Sequence, residues 1–81
     1  MSGEVERIAK ALTATQIRLL EWLDPVEFAD WGEAGAPGNR TTRIRLMDLQ
    51  LTESGERAWL RRLSPLGRAV RAYLQEQQHV G

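Results

Sequence analysis

The chain has no cysteine, and its single histidine, His79, lies in the C-terminal tail. No disulfide can staple the fold, and no Cys/His set has zinc-site spacing. Apolar runs never exceed three residues, as at Ala58-Trp59-Leu60. Membrane spans and signal-peptide cores need far longer runs, so a soluble, cytoplasmic protein without membrane contact is expected. Catalytic signatures are missing as well: there is no Gly-x-Gly-x-x-Gly and no glycine-lysine phosphate loop. Gly32, Gly35 and Gly38 lead into Asn39-Arg40, which lacks the lysine a phosphate loop needs. Asp24, Glu27 and Asp30 gather where a helix start would explain them by dipole compensation. The sequence therefore reads as no enzyme, with no metal and no cofactor.

What remains is one domain over residues 1–81. A chain this short buries only about 60% of its unfolded surface, so a dimer is one expected route to stability. At 42% apolar and 27% charged residues, the composition is that of a globular chain rather than a disordered one. The formal net charge of zero hides a gradient. Residues 1–38 carry seven acids against three bases, and residues 39–81 carry eight arginines against four acids, giving −4 and +4. Ten of the eleven basic residues are arginine, the side chain suited to phosphates and guanine edges. A genome rich in arginine codons would leave the same imprint.

Val5, Ile8 and Leu12 recur at helical spacing and predict an amphipathic helix within residues 1–12, a candidate dimerisation element. Thr13 and Gln16 form a capping-box pair for a second helix over Ala14–Leu23. Asp24 and Pro25 suit the cap and first position of a brief third helix bearing Val26, Phe28, Ala29 and Trp31. Gly32–Gly38 reads as a loop. Asn39 can cap a helix over Arg40–Gln50, which has two apolar sides, Ile44 with Met47 and Leu46 with Leu49. Alternation of the same residues also permits a strand, although the helix is preferred. Ser54-Gly55 predicts a tight two-residue hairpin turn with glycine at positive φ, against a competing continuous helix over Thr52–Leu63. Ser64 and Pro65 then open a last helix to about Gln77, with Leu66, Val70, Tyr73 and Leu74 on one stripe and residues 79–81 loose. Trp22 and Trp31 are expected in the core, with Trp59 left open.

Helices, a loop, a helix, a small hairpin and a closing helix form a mainly α order. Leu-Gln-Leu-Thr-Glu-Ser-Gly-Glu-Arg at Leu49–Arg57 resembles the recognition-helix end and wing tip of small bacterial and phage winged helix-turn-helix proteins. Arg62–Val70 resembles the wing-to-last-helix junction of MarR and related regulators, and Thr13–Leu23 is similar to their first core helix. The resemblance covers Thr13 to Leu74. It departs at Gln50, where such proteins commonly carry glycine, and at the long loop Gly32–Gly38 in place of a tight turn.

The resemblance implies a transcription regulator that binds double-stranded DNA sequence-specifically, as a homodimer. With Ile44 and Met47 packed inward, Thr42 and Arg45 would face outward, and Arg40, Thr41 and Arg43 would lie at the helix entrance. Ser54, Arg57, Arg61 and Arg62 on the wing would meet backbone phosphates. Glu53 and Glu56 at the same tip offset that field and permit a salt-bridged hairpin instead. Leu46 and Leu49, facing outward, would suit a protein partner better than a charged groove. The alternative function is thus a protein-interaction module, such as a small phage-type inhibitor or adaptor.

Overall fold

A computed structural model describes residues 2–33 and 35–80; Met1, Ala34 and Gly81, and with them the ends of the expected first helix and loose tail, lie outside the described residues. Two capping boxes set the helical frame. Thr13 Oγ1 accepts from the Gln16 backbone N–H, and Gln16 Oε1 accepts from that of Thr13, opening α2 (Ala14–Trp22) after α1 (Ser2–Ala11). Asn39 and Thr42 repeat the exchange at the start of α3 (Arg40–Asp48), so the helix reading holds there. Each box satisfies donors that a helix start otherwise leaves unpaired.

Between α2 and α3 the expected third helix does not form. Asp24 Oδ1 does accept from the backbone N–H of Val26 and Glu27, at 2.7 and 2.8 Å. Those donors, Glu27 foremost, hold its carboxyl below the usual range. That contribution is complete above the ordinary carboxylate pKa and fades as pH falls through the lowered one. The turn does not propagate, because a short helix must nucleate at a cost and a strand ladder competes for the same backbone. The chain straightens into β1 (Ala29–Asp30), which pairs with β3 (Leu60–Leu63). β2 (Thr52–Ser54) pairs on the other edge of β3, giving an antiparallel sheet in the order β1-β3-β2.

The hairpin is present and Thr52–Leu63 is not a continuous helix, but its turn is longer than Ser54-Gly55 predicts. Gly55–Trp59 bridge the strands, with Gly55 N–H donating to the Leu60 carbonyl at 2.8 Å. Positive φ among glycines occurs at Gly35 and Gly38, not at Gly55. Gly55 instead makes room: a Cβ there would sit 3.0–3.3 Å from the Phe28 ring.

Among the described residues there are thus four helices and a small three-stranded antiparallel sheet, with α3 and α4 packed on its strands. Leu19, Leu20, Leu23, Leu46, Leu51, Leu63 and Val70 are the largest fully buried side chains of the core between them. α4 (Pro65–Val80) runs past the expected end at Gln77 and lies along α1. Ile8 and Leu12 are buried, Val5, Leu66, Tyr73 and Leu74 partly so. The two terminal stripes therefore pack against each other within one chain, with Val5, Leu66, Tyr73 and Leu74 left partly exposed. Trp31 is buried as expected, whereas Trp22 is 40% exposed. Among the described residues, no helix is long and apolar enough to cross a membrane.

α3 ends in a Schellman turn. Leu51 N–H reaches the Leu46 carbonyl at 3.0 Å and Gln50 N–H that of Met47 at 2.9 Å, with Gln50 at φ 60°. Leu46 and Leu51, the two positions whose apolar side chains accompany this motif, are both fully buried in the one core cluster. Gln50 holds a left-handed conformation that disfavours a side chain. Gln50→Gly is therefore expected to stabilise the domain by about 0.5–1 kcal/mol, read as a higher urea midpoint; a lower midpoint contradicts the assignment.

Candidate nucleic-acid interface

α3 buries the side opposite to the one expected. Thr42 and Leu46 are buried and Leu49 is half-buried, while Ile44 and Met47 are 42% and 44% exposed. Two local interactions select that side. The Asn39 box takes the Thr42 hydroxyl, which also donates to Asn39 Oδ1 at 3.2 Å, and the terminal turn pairs Leu46 with Leu51. Thr42 is therefore a capping residue rather than an outward base reader, and Leu46 and Leu49 face no partner. The signal was in the sequence, since Asn39-x-x-Thr42 repeats the Thr13-x-x-Gln16 pattern.

The exposed side of α3 faces the hairpin loop across a groove of about 350 Å³. Trp31, Ile44, Met47, Ala58 and Trp59 line it, together with Arg40 and Arg43. Arg40 and Arg45 are exposed, as is Thr41, and Arg43 is half-buried. Arg45 lies outside the groove lining, on another flank of the helix. Across the groove, Arg57 is exposed and its guanidinium lies 5.5 Å from the Trp59 ring centre. Among the described residues, none of Arg40, Arg43, Arg45 and Arg57 has a carboxylate within ion-pairing distance. Four cations are thus free to meet an anion. Ile44, Met47 and Trp59, which the sequence reading did not place in a site, form the exposed apolar part of the same surface.

The remaining hairpin arginines are engaged. Arg61 is buried; its Nε and Nη2 both donate to Thr52 Oγ1, at 3.1 and 2.8 Å, and it lies 5.3 Å from the Trp31 ring centre. Burial lowers its pKa, yet a guanidinium remains charged. Strand alternation explains the placement: Arg61 and Leu63 share the inward face of β3. Arg62 is half-buried; it pairs with Glu53 at 2.6 Å, donates to the Val26 carbonyl at 2.9 Å and stacks 4.4 Å from the Phe28 ring centre. Arg61 is therefore a structural residue and no surface cation. Ser54 is exposed at the end of β2. The groove brings Arg40 and Arg43 together with Trp59, over which Arg57 stands, while Thr41 and Arg45 are exposed on α3 and Ser54 at the end of β2.

This arrangement offers positive charge around an apolar floor on the exposed side of α3. Compared with known proteins, the chain matches no family model, no curated protein and no solved structure.

Proposed function

We propose that this chain is a small winged-helix protein that binds double-stranded DNA, with α3 as its recognition helix and the hairpin as its wing. The observation that carries the reading is that α3 and the hairpin loop carry four arginines, Arg40, Arg43, Arg45 and Arg57, with no ion pair among the described residues, in a molecule whose net charge is zero. Element order supports it: α3 is followed by the β2–β3 hairpin and then α4, with β1 laid against β3. The stretch between β1 and α3 carries turns and bends in place of a second helix, so α3 is presented by a loop. Phosphate contacts from Arg40, Arg43, Arg45 and Arg57 would fix register, and Thr41 would approach base edges. Sequence-specific binding of this kind is the activity of a transcription regulator. A homodimer would bring two such surfaces to successive half-sites of one duplex.

Fluorescence anisotropy with labelled duplex tests the reading through its salt dependence. Arg57→Ala is expected to make the log–log slope shallower by about 0.9, the release from one phosphate, on every sequence. Arg61→Ala should leave the slope per bound molecule unchanged and instead cost about 1–3 kcal/mol of stability, through lost packing on Trp31 and an unpartnered Thr52 hydroxyl. A slope unaltered by Arg57→Ala would remove the wing from the interface. A slope lowered by Arg61→Ala at unchanged stability would contradict its buried placement.

The second reading, a protein-interaction module, is favoured by the exposure of Ile44, Met47 and Trp59 at 42–50%. It predicts that Ile44→Glu abolishes function without unfolding the domain while Arg57→Ala scarcely matters. A charge at Leu46 cannot serve that test, because that residue is fully buried, and one at Leu49 would also disturb its packing on the core.

A further inference from the structure

At the middle of the outer face of α3 stand two residues that cannot read a hydrogen-bonding pattern. Ile44 has no polar side-chain atom and Met47 has only a weak thioether acceptor. Both are more than 40% exposed and both line the groove, as does Trp59 at 50% exposure. Leaving such surface in water is unfavourable in proportion to its area, so its use is in contact with something apolar. Charge restricts what that is. Arg40 and Arg43 line the same groove and Arg57 stands over Trp59, all without an acidic partner among the described residues. The occupant must present an apolar group inside a field of negative charge.

In duplex DNA, the major groove displays one apolar group on its bases: the methyl at C5 of thymine, which 5-methylcytosine carries at the same position. It projects toward a docked helix between the two phosphate strands. We propose that the groove between α3 and the hairpin loop receives the C5-methyl edge of a pyrimidine in duplex DNA, with Ile44 and Met47 forming the contact surface and Arg40, Arg43 and Arg57 holding the flanking anionic edges. This rests on the DNA-binding reading and adds the chemistry by which the site is read. A methyl group is small against the groove's volume of about 350 Å³.

The test starts from the duplex best bound by the full chain in a selection from random sequence. Each thymine is then replaced in turn by deoxyuridine, which deletes the methyl and keeps the pairing. Burying one methyl is expected to be worth about fourfold in affinity, so at least one replacement should weaken binding by that factor. In Ile44→Ala and Met47→Ala, whose side chains are exposed and whose folding is checked by circular dichroism, the thymine and deoxyuridine duplexes should bind alike while the salt slope is kept. Exchanging the sensitive T·A pair for C·G and for 5-methylcytosine·G distinguishes the two methyl sources. Recovery with 5-methylcytosine shows that the methyl itself is recognised, and recovery only with thymine shows that its A·T pair is read as well. If every deoxyuridine duplex binds within about twofold of its parent and binding still falls steeply with salt, the methyl site is overturned and DNA binding stands. If no duplex binds in a salt-sensitive way, both are overturned.

Discussion

Replacing Gly67 with alanine is expected to destabilise the domain by about 3 kcal/mol or more, against a total of roughly 4–12 kcal/mol for a chain of this size. By intrinsic propensity the sign would be opposite, since alanine is preferred over glycine in a helix by about 1 kcal/mol. Space decides. A Cβ at Gly67 would lie 2.0 Å from the Leu51 carbonyl oxygen and 3.0 Å from its carbon, atoms of backbone that cannot swing aside. Relief requires α4 to move away from Leu51. That same carbonyl accepts the Ser64 N–H at 3.0 Å, and the Ser64 hydroxyl donates to the Gln50 carbonyl at 2.7 Å while accepting from Gly67 N–H at 3.0 Å. Moving α4 therefore disrupts the cap of one helix and the exit of another, and opens the core at Leu51 and Leu63. Thermal melting by circular dichroism should fall by more than about 10 °C, since 1 kcal/mol corresponds to about 4–8 °C in a domain this small. Gly3→Ala is the internal control. Its Cβ would meet nothing within 4 Å, and a gain of about 0.5–1 kcal/mol is expected from helix propensity alone. Equal gains at both glycines would contradict the close approach of α4 to Leu51.

The second large effect concerns binding rather than folding. A variant carrying Arg40→Ala, Arg43→Ala, Arg45→Ala and Arg57→Ala together is expected to lose salt-sensitive duplex binding, its log–log slope becoming shallower by about 3–4 units if each arginine neutralises one phosphate. Stability should fall by no more than about 1 kcal/mol, because no ion pair among the described residues is broken and alanine is the better helix former at the three α3 positions, leaving only the exposed Arg57–Trp59 stacking to be lost. Removing four charges also makes the whole molecule anionic, which would weaken binding to DNA from any position. Arg7→Ala with Arg18→Ala, exposed on α1 and α2, measures that background. A quadruple variant whose slope matches the parent's would place the interface elsewhere.

Those two results depend on features of very different legibility. The helix starts could be read directly, because Thr13 with Gln16, Asn39 with Thr42 and Ser64 before Pro65 satisfy donors within a few residues of themselves. Such local chemistry leaves a local pattern. The stretch Asp24–Trp31 misled for the opposite reason: its capping chemistry is present, yet the outcome is decided by pairing of Ala29 and Asp30 with residues some thirty positions later. Sequence spacing carries no record of that competition.

The face of α3 lay between these cases. Its two apolar sides were visible, but choosing between them required the Asn39 box and the contact of Leu46 with Leu51, each of which extends beyond the helix. Reversing the choice exchanged roles in the candidate site, taking Thr42 inward and bringing Ile44 and Met47 out. Arg61 was unreadable as a buried group because a charged residue on a polar-looking hairpin is ordinarily exposed. Its place follows from the register that puts Arg61 opposite both Ala29 and Ser54, with Thr52 close enough to accept two of its N–H groups. The charge gradient located the cationic half, whereas the fold decided which of its arginines remain unpaired.

Whether α3 and the hairpin loop meet a duplex is read in a ¹⁵N–¹H correlation spectrum of the full chain titrated with duplex DNA at low salt. Such an interface concentrates amide shifts over Arg40–Met47 and Gly55–Trp59, moves the exposed Trp59 indole N–H, and leaves α1 and the side of α4 packed on it unperturbed. Shifts centred on α1 and α4, or none at all at duplex concentrations well above those of nonspecific binding, would contradict it.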